Sequence, residues 1–438
     1  MEWTQSGGRA PRVTVIGFDG MPPSPQACLA LAEATLVIGN IRHLDALPVP
    51  DSARRIYMGG FGSALTHLAL NDGPAVVVAS GDPGFFGVVR ALREQGIRVR
   101  TLPAVSSVAA AFGRVGMAWE DAIVVALDPA PDGADRSDAR GGARAVPDPA
   151  TGRPVSTLRA AANLCRALPK VAVLTAPTMG PRELAVELLG EAKSGPERTL
   201  IVAQRLGEPE ESVEWMSLQQ AAERHIWGDP NVVLCIDEDR SSPLRSSLMG
   251  GWSGPPSGWA LPENAFVHRG TQVVGAEARA LVLARLAPRP GMMVWDVGAG
   301  SGSVGIECAR LGAAVVAVER DPDSCERISL NAAMHGVDVQ VVRGQAPEAL
   351  LDLPLPDAVM VGGGGAEVIR AAVNRDPRIV VVTVSAIDLL PAAKSALKAS
   401  GRKVDGALLQ TSRLAALPGD AHRFAAVHPV FVLWGERQ

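Results

Sequence analysis

The sequence predicts an α/β chain with two parallel-sheet domains. Three observations predict it. From residue 12 to residue 236, short apolar runs alternate with stretches of helical period. Two stretches, 128–156 and 238–261, interrupt the alternation with Asp, Gly, Pro and Ser. Beyond residue 291, seven apolar runs begin with one that ends in an Asp and a glycine-rich turn.

In order, 12–17 is a buried parallel strand ending in glycine. Then 27–33 reads as helix, 35–38 as strand, 62–70 as helix and 75–79 as strand. Helix 85–95 precedes strand 97–102, helix 106–112 precedes strand 121–127, and the insert 128–156 reads as a flexible connection. Helices at 158–167, 181–189 and 217–224 alternate with strands at 170–175, 199–203 and 231–236. The expected domains are 11–237 and 262–438, with 238–261 as linker and 1–10 as a loose tail. In the second domain, apolar runs at 292–297, 313–318, 338–342, 357–361, 378–384, 404–409 and 427–434 are its strands. The last two are joined without room for a full crossover helix, so they are expected to pair antiparallel.

Of 438 residues, 47% are hydrophobic and 20% charged, with net charge −4. That is ample for a core, and it carries no basic stripe for nucleic acid. Cys28, Cys165, Cys235, Cys308 and Cys325 form no CxxC pair, which fits reduced thiols in a cytoplasmic protein. No apolar run reaches 18 residues and no signal-peptide pattern opens the chain, so no membrane contact is expected. Metal-ligand spacing is absent, and no metal is expected.

The most telling stretch is Trp295-Asp296-Val297-Gly298-Ala299-Gly300-Ser301-Gly302-Ser303, followed by the strand ending at Glu319. Glycines allow a tight turn and close approach to a ligand, and an acid at the next strand tip suits ribose hydroxyls. Residues 300–305 satisfy G-x-G-x-x-G, which alone would suggest a dinucleotide and a NAD-linked oxidoreductase. Asp296 at the turn and seven strands with a reversed final hairpin point instead to S-adenosylmethionine. In the first domain, 15–20, 79–87 and 103–108 all follow strands, where open parallel sheets bind ligands. Ser106 and Ser107 also suit a helix cap.

Ser80-Gly81-Asp82-Pro83 with Phe86-Gly87, and Pro103 through Ser107, resemble the S-adenosylmethionine motifs of the tetrapyrrole (corrin) methylases. Arg42-His43-Leu44, Gly180-Pro181 and Gln204-Arg205-Leu206-Gly207 are similar to further parts of that two-lobed fold. Trp295–Ser303, Glu319-Arg320-Asp321-Pro322, Gly344-Gln345-Ala346-Pro347 and Gly362-Gly363-Gly364-Gly365 resemble the separate Rossmann-like methylase that decarboxylates a precorrin. Their order resembles the decarboxylating precorrin-6B C5,15-methyltransferases of cobalamin (vitamin B12) biosynthesis, the CobL type.

Departures are Phe18-Asp19 after Gly17, Ala104 in place of Gly, Asp128-Pro129 in place of His-Gly, Val274-Gly275 in place of Thr-Lys, and His428-Pro429 in place of Asn-Pro. The resemblance implies methylation of carbon 5 by the first domain. It implies methylation of carbon 15 and loss of the ring C acetate carboxylate by the second. It implies cofactor contacts at Gly17, Gly81, Asp82, Phe86, Ser106 and Ser107. In the second domain the implied contacts are Asp296, Gly298, Gly300, Ser301, Gly302, Ser303, Glu319, Arg320, Gln345, Ala346, Gly362 and Gly363. The substrate is a polycarboxylate, so Arg42, Arg269 and Arg279 are candidates to receive it, with Arg320 beside them. No catalytic base is named, because an electron-rich meso carbon supplies its own nucleophilicity. Self-association is expected by analogy. Methylation of RNA is the rival reading within the same folds.

Overall fold

The structure, a computed structural model, describes residues 12–57, 61–85, 88–127, 146–147, 154–155, 157–176, 178–190, 197–239, 255, 257–269 and 274–437. The expected tail, Phe86, Gly87 and most of the expected insert and linker lie outside these residues. By compactness the chain divides into two units. One comprises Met1–Glu120, Ile201–Trp215 and Ile226–Leu234, and the other comprises Asp121–Leu200, Met216–His225 and Cys235–Gln438.

The first sheet is built from β1 (Val13–Phe18), β2 (Leu36–Gly39), β3 (Arg54–Tyr57), β4 (Ala75–Ser80) and β5 (Val99–Leu102), in the order β3-β2-β4-β1-β5. All its pairings are parallel. Val13, Val15, Leu36, Ile38 and Val77 pack into a core on one face, and Ile16, Val37, Val76 and Val78 into a core on the other. Burial of both faces is why these strands read as unbroken apolar runs instead of alternating ones.

The second sheet takes β6 (Ile123–Ala126), β9 (Lys170–Leu174), β10 (Thr199–Gln204), β11 (Ser212–Ser217) and β12 (Asn231–Ile236), in the order β11-β10-β12-β9-β6. A two-residue ladder, β7 (Val146–Pro147) with β8 (Pro154–Val155), falls inside the expected insert.

The third sheet holds β13 (Met293–Val297), β14 (Ala314–Glu319), β15 (Gln340–Arg343), β16 (Ala358–Val361), β17 (Ile379–Val384), β18 (Lys403–Leu409) and β21 (Val430–Glu436). Its order is β15-β14-β13-β16-β17-β21-β18, and β21 runs antiparallel to both neighbours. The seven strands and the reversed end match expectation. The β18–β21 connection was not foreseen in detail: it forms a separate hairpin, β19 (Ser412–Ala416) with β20 (His422–Ala426). β3 and β11 were also not foreseen, since Arg54-Arg55 and Ser212–Glu214 lack an apolar pattern.

Part of the expected linker is fixed in place. Glu307, fully buried, accepts from Ala260 N (2.6 Å) and Leu261 N (2.9 Å), and Arg310 donates to Ser257 Oγ and Gly258 O. Among the described residues, no helix is long and apolar enough to cross a membrane.

Candidate active site

In the third sheet, β13 delivers the chain into the turn 298–302 and the helix Ser303–Arg310. Gly298 sits at φ +70°, and a Cβ there would lie 3.0 Å from Gly363 N. The turns after β13 and β16 therefore touch backbone to backbone. Glu319, the last residue of β14, ties the turn down. Its Oε2 accepts from Gly300 N (2.9 Å), and its Oε1 accepts from Arg320 N (2.8 Å) and Asp321 N (3.1 Å). A carboxylate has about four acceptor positions, so capacity remains for a ligand hydroxyl.

These strand ends open onto a cavity of about 1330 Å3. Gly298, Gly300, Glu319, Arg320, Gln345, Ala346, Gly362 and Gly363 all line it. Asp296, Ser301, Gly302 and Ser303 do not. Asp296 was expected at the mouth of the turn, facing a cationic ligand. It is instead 2% exposed, beneath the turn, with Oδ2 accepting from Gly305 N (2.8 Å). Burial, with the Glu319 charge adding, pushes its carboxyl up to about 7. The strand's alternation explains this: Val297 lines the cavity, and Asp296 before it points to the opposite face, against Gly305. Gly305, the last glycine of the dinucleotide-like pattern, packs its α-carbon side against Asp296.

Arg279 is a second correction. It is fully buried, with Nε 2.7 Å from Glu307 Oε1 and its other nitrogens on Val274 O and Leu261 O. Buried on those partners, it does not line the cavity. Arg269 is exposed and does not line the cavity. Sequence reasoning missed Arg413, on β19, which does line it beside Glu263, His268, Glu367 and His428. No local signal marks Arg413, because the hairpin that carries it has no buried face.

The first sheet assembles a second set of strand ends. A Cβ on Gly17 would come within 2.2 Å of Gly81 O and 2.6 Å of Ala104 N, so the three expected segments meet at one point. Gly81 N donates to Phe18 O (2.7 Å), and Val105 N donates to Asp19 Oδ2 (3.1 Å). Asp82 Oδ1 accepts from Gly84 N, making a local turn. Ser106 caps the helix Ser107–Arg114 through Ala109 N (3.1 Å). His43 is 7% exposed, with Nε2 3.2 Å from Ser80 Oγ and its ring edge-on to Phe18. Burial, then the neighbouring Arg42, lowers its pKa to about 4, so it is neutral near pH 7. Arg42, expected to receive substrate, is engaged with Glu208 (2.6 Å) and Asp229 O. Phe86 lies outside the described residues.

Among the described residues, no group of His, Cys, Asp and Glu is placed to hold a metal. The profile of the tetrapyrrole (corrin/porphyrin) methylases matches residues 24–222, and that of the precorrin methyltransferase domain matches residues 264–436. A precorrin-6Y C(5,15)-methyltransferase [decarboxylating] of Sinorhizobium sp is 36% identical over 379 residues, 83% of this chain and 82% of the relative. Its namesake in Mycobacterium tuberculosis is 33% identical over 361 residues, 80% of each chain. A probable cobalt-precorrin-6B C(15)-methyltransferase (decarboxylating) of Pyrobaculum calidifontis is 35% identical over 183 residues, 40% of this chain and 93% of the relative. With its two profiles in that order and this identity across most of its length, the chain belongs to the family of decarboxylating precorrin-6Y C(5,15)-methyltransferases.

Proposed function

We propose that this chain is a two-site precorrin methyltransferase of cobalamin biosynthesis. Residues 11–237 methylate carbon 5. Residues 262–438 methylate carbon 15 and release the ring C acetate carboxylate as carbon dioxide. The intervening 238–261 connect the two domains. The reading includes a cytoplasmic, self-associating enzyme without a nucleic-acid partner, in keeping with its acidic balance.

The observation that carries this reading is the cavity at the carboxyl edge of the third sheet. Its floor is glycine backbone and its side wall is the Glu319 carboxylate. That donor set fits S-adenosylmethionine: a cradle that a Cβ would fill, and a carboxylate at the β14 tip for ribose hydroxyls. Gly298, Gly300, Glu319 and Gln345 would hold the cofactor there; Gly17, Gly81, Asp82 and Ser107 would do so at the first sheet. Bound there, the cofactor supplies an electrophilic methyl on sulfur. At about 1330 Å3 the cavity exceeds what a drug-sized ligand fills, leaving room for part of a macrocycle.

The protein's own work is alignment and exclusion of water. Backbone contacts between the turns after β13 and β16 fix the floor, so the reacting carbon meets a rigid surface. Decarboxylation leaves an electron pair that the conjugated macrocycle absorbs, so a carboxylate held away from cations is favoured to react.

Calorimetric titration of S-adenosylhomocysteine into the intact chain tests the reading. Two sites are expected, and Gly298→Val should remove one. A single site in the parent protein would sink the two-site assignment, and no binding would sink the cofactor.

A further inference from the structure

The large cavity presents an electrostatic puzzle. Its walls carry Glu263, Glu319, Asp321, Glu348 and Glu367 against only two guanidiniums, Arg320 and Arg413, among the described residues. Yet the proposed substrate is a polycarboxylate. Arg320 stands at the tip of β14, beside the carboxylate assigned to the cofactor. Arg413 stands apart from it, on β19, where the hairpin returns through Val427, His428 and Pro429 to the cavity wall.

Arg413 is held by two carboxylates that differ in kind. Glu263 takes both terminal nitrogens, Nη1 to Oε2 at 2.8 Å and Nη2 to Oε1 at 2.5 Å. Glu263 is itself anchored, since Oε1 also accepts from Ala276 N (3.0 Å) at the start of the helix Ala276–Leu286. Glu277 takes only Nη2, at 2.8 Å, and its side chain is 45% exposed. The Arg413 side chain is 42% exposed. One partner therefore fixes the guanidinium's orientation. The other is a solvated surface acid, whose departure costs little.

We propose that Arg413 is the substrate-recognition residue of this cavity, and that a peripheral carboxylate of the precorrin displaces Glu277 from it. The exchange is carboxylate for carboxylate on a fork already oriented by Glu263, so little ordering remains to be done on binding. The carboxylate received is one the product keeps. An ion pair to the departing carboxylate would stabilise the ground state of a group whose charge disappears in the transition state. Arg413 thus also sorts the substrate's carboxylates, anchoring one that the product keeps and leaving the reacting acetate unpaired with it.

This inference rests on the proposed function, and the test separates their failures. Steady-state kinetics of C15 methylation and carbon dioxide release are measured with precorrin-6Y on the full chain, for Arg413→Gln, Arg413→Lys and Glu277→Gln. S-adenosylhomocysteine affinity and melting temperature are measured alongside. Arg413→Gln should raise KM about tenfold or more, the loss expected of one charge-assisted hydrogen bond. Both kcat and S-adenosylhomocysteine affinity should hold, and Arg413→Lys should fall between. Glu277→Gln should lower KM, by about two- to fivefold, because it weakens the competitor for Nη2. A latch with a purely structural role predicts the opposite sign for Glu277→Gln, a raised KM. That result overturns the inference, as does an unchanged KM in Arg413→Gln. If Arg413→Gln melts too low to assay, the Glu277→Gln sign alone decides. Absence of S-adenosylhomocysteine binding to the parent protein would instead indict the cofactor reading.

Discussion

Replacing Asp296 by Asn should make the third sheet less sensitive to pH. Asp296 is 2% exposed and its pKa stands at about 7, raised from 3.8 chiefly by burial and then by the Glu319 charge, against the opposing Gly305 N–H. The folded chain therefore keeps a proton that the unfolded chain releases between about pH 4 and about pH 7. A raised carboxyl pKa contributes stability that is fully present below pH 4 and is lost as pH rises through 7. The full loss is on the order of 4 kcal/mol.

Asn has the same shape and keeps an oxygen for Gly305 N. It carries an amide that must be desolvated, at about 1–3 kcal/mol, but that penalty is the same at every pH. Comparing pH 5 with pH 8 cancels it. Asp296→Asn should gain about 3 kcal/mol relative to the parent protein between those two values. Hydrogen exchange of peptides from β13 and the helix Ser303–Arg310, read at both pH values, measures this locally. A variant whose advantage does not grow with pH would refute the argument. It would mean that the Gly305 bond and the turn stabilise the ionised form more than burial opposes it.

Arg279→Ala should cost about 3 kcal/mol, because it removes the hydrogen-bonded ion partner of the fully buried Glu307 and leaves only Arg310 Nη1, at 3.8 Å; urea unfolding of the variant measures it. A cost below about 1 kcal/mol would mean that Arg310, Ala260 N and Leu261 N together satisfy Glu307. Gly17→Ala should abolish one of two S-adenosylhomocysteine sites in titration, since its Cβ would sit 2.2 Å from Gly81 O. Because Gly17 does not have positive φ, Gly17→Asn should be no better; at Gly298, with φ +70°, Asn should retain more binding than Ala. Equal losses at Gly298 would show that contact with Gly363 N decides there, and not backbone conformation.

Much of the fold is legible because its signals are local. β1, β4, β13 and β14 are apolar runs long enough to need no context, and the glycines after them mark the edge where a ligand fits. The cavity-lining residues found from sequence, such as Gly298, Glu319 and Gly363, all lie at strand ends or the turns that follow them. What failed depends on direction and distance. Asp296 is one residue inside the strand, and alternation turns it away from the cavity. Arg279 is an arginine on a helix, and only Glu307, 28 residues later and on another helix, shows that it is buried.

Arg413 combines both difficulties. β19 alternates between exposed and half-buried residues, β20 is almost wholly exposed, and neither has a core beneath it, so no apolar pattern announces the hairpin. The partners that orient Arg413 lie 150 and 136 residues earlier in the chain. A cofactor cradle can be built from backbone within a few turns of one sheet edge, so sequence displays it. A charge that sorts substrate carboxylates must be placed against acids from distant segments, so only the folded chain displays it. Substrate recognition in this cavity is therefore carried by the least sequence-legible part of the fold, and the Glu277 and Arg413 variants probe it where motif-based substitutions would not.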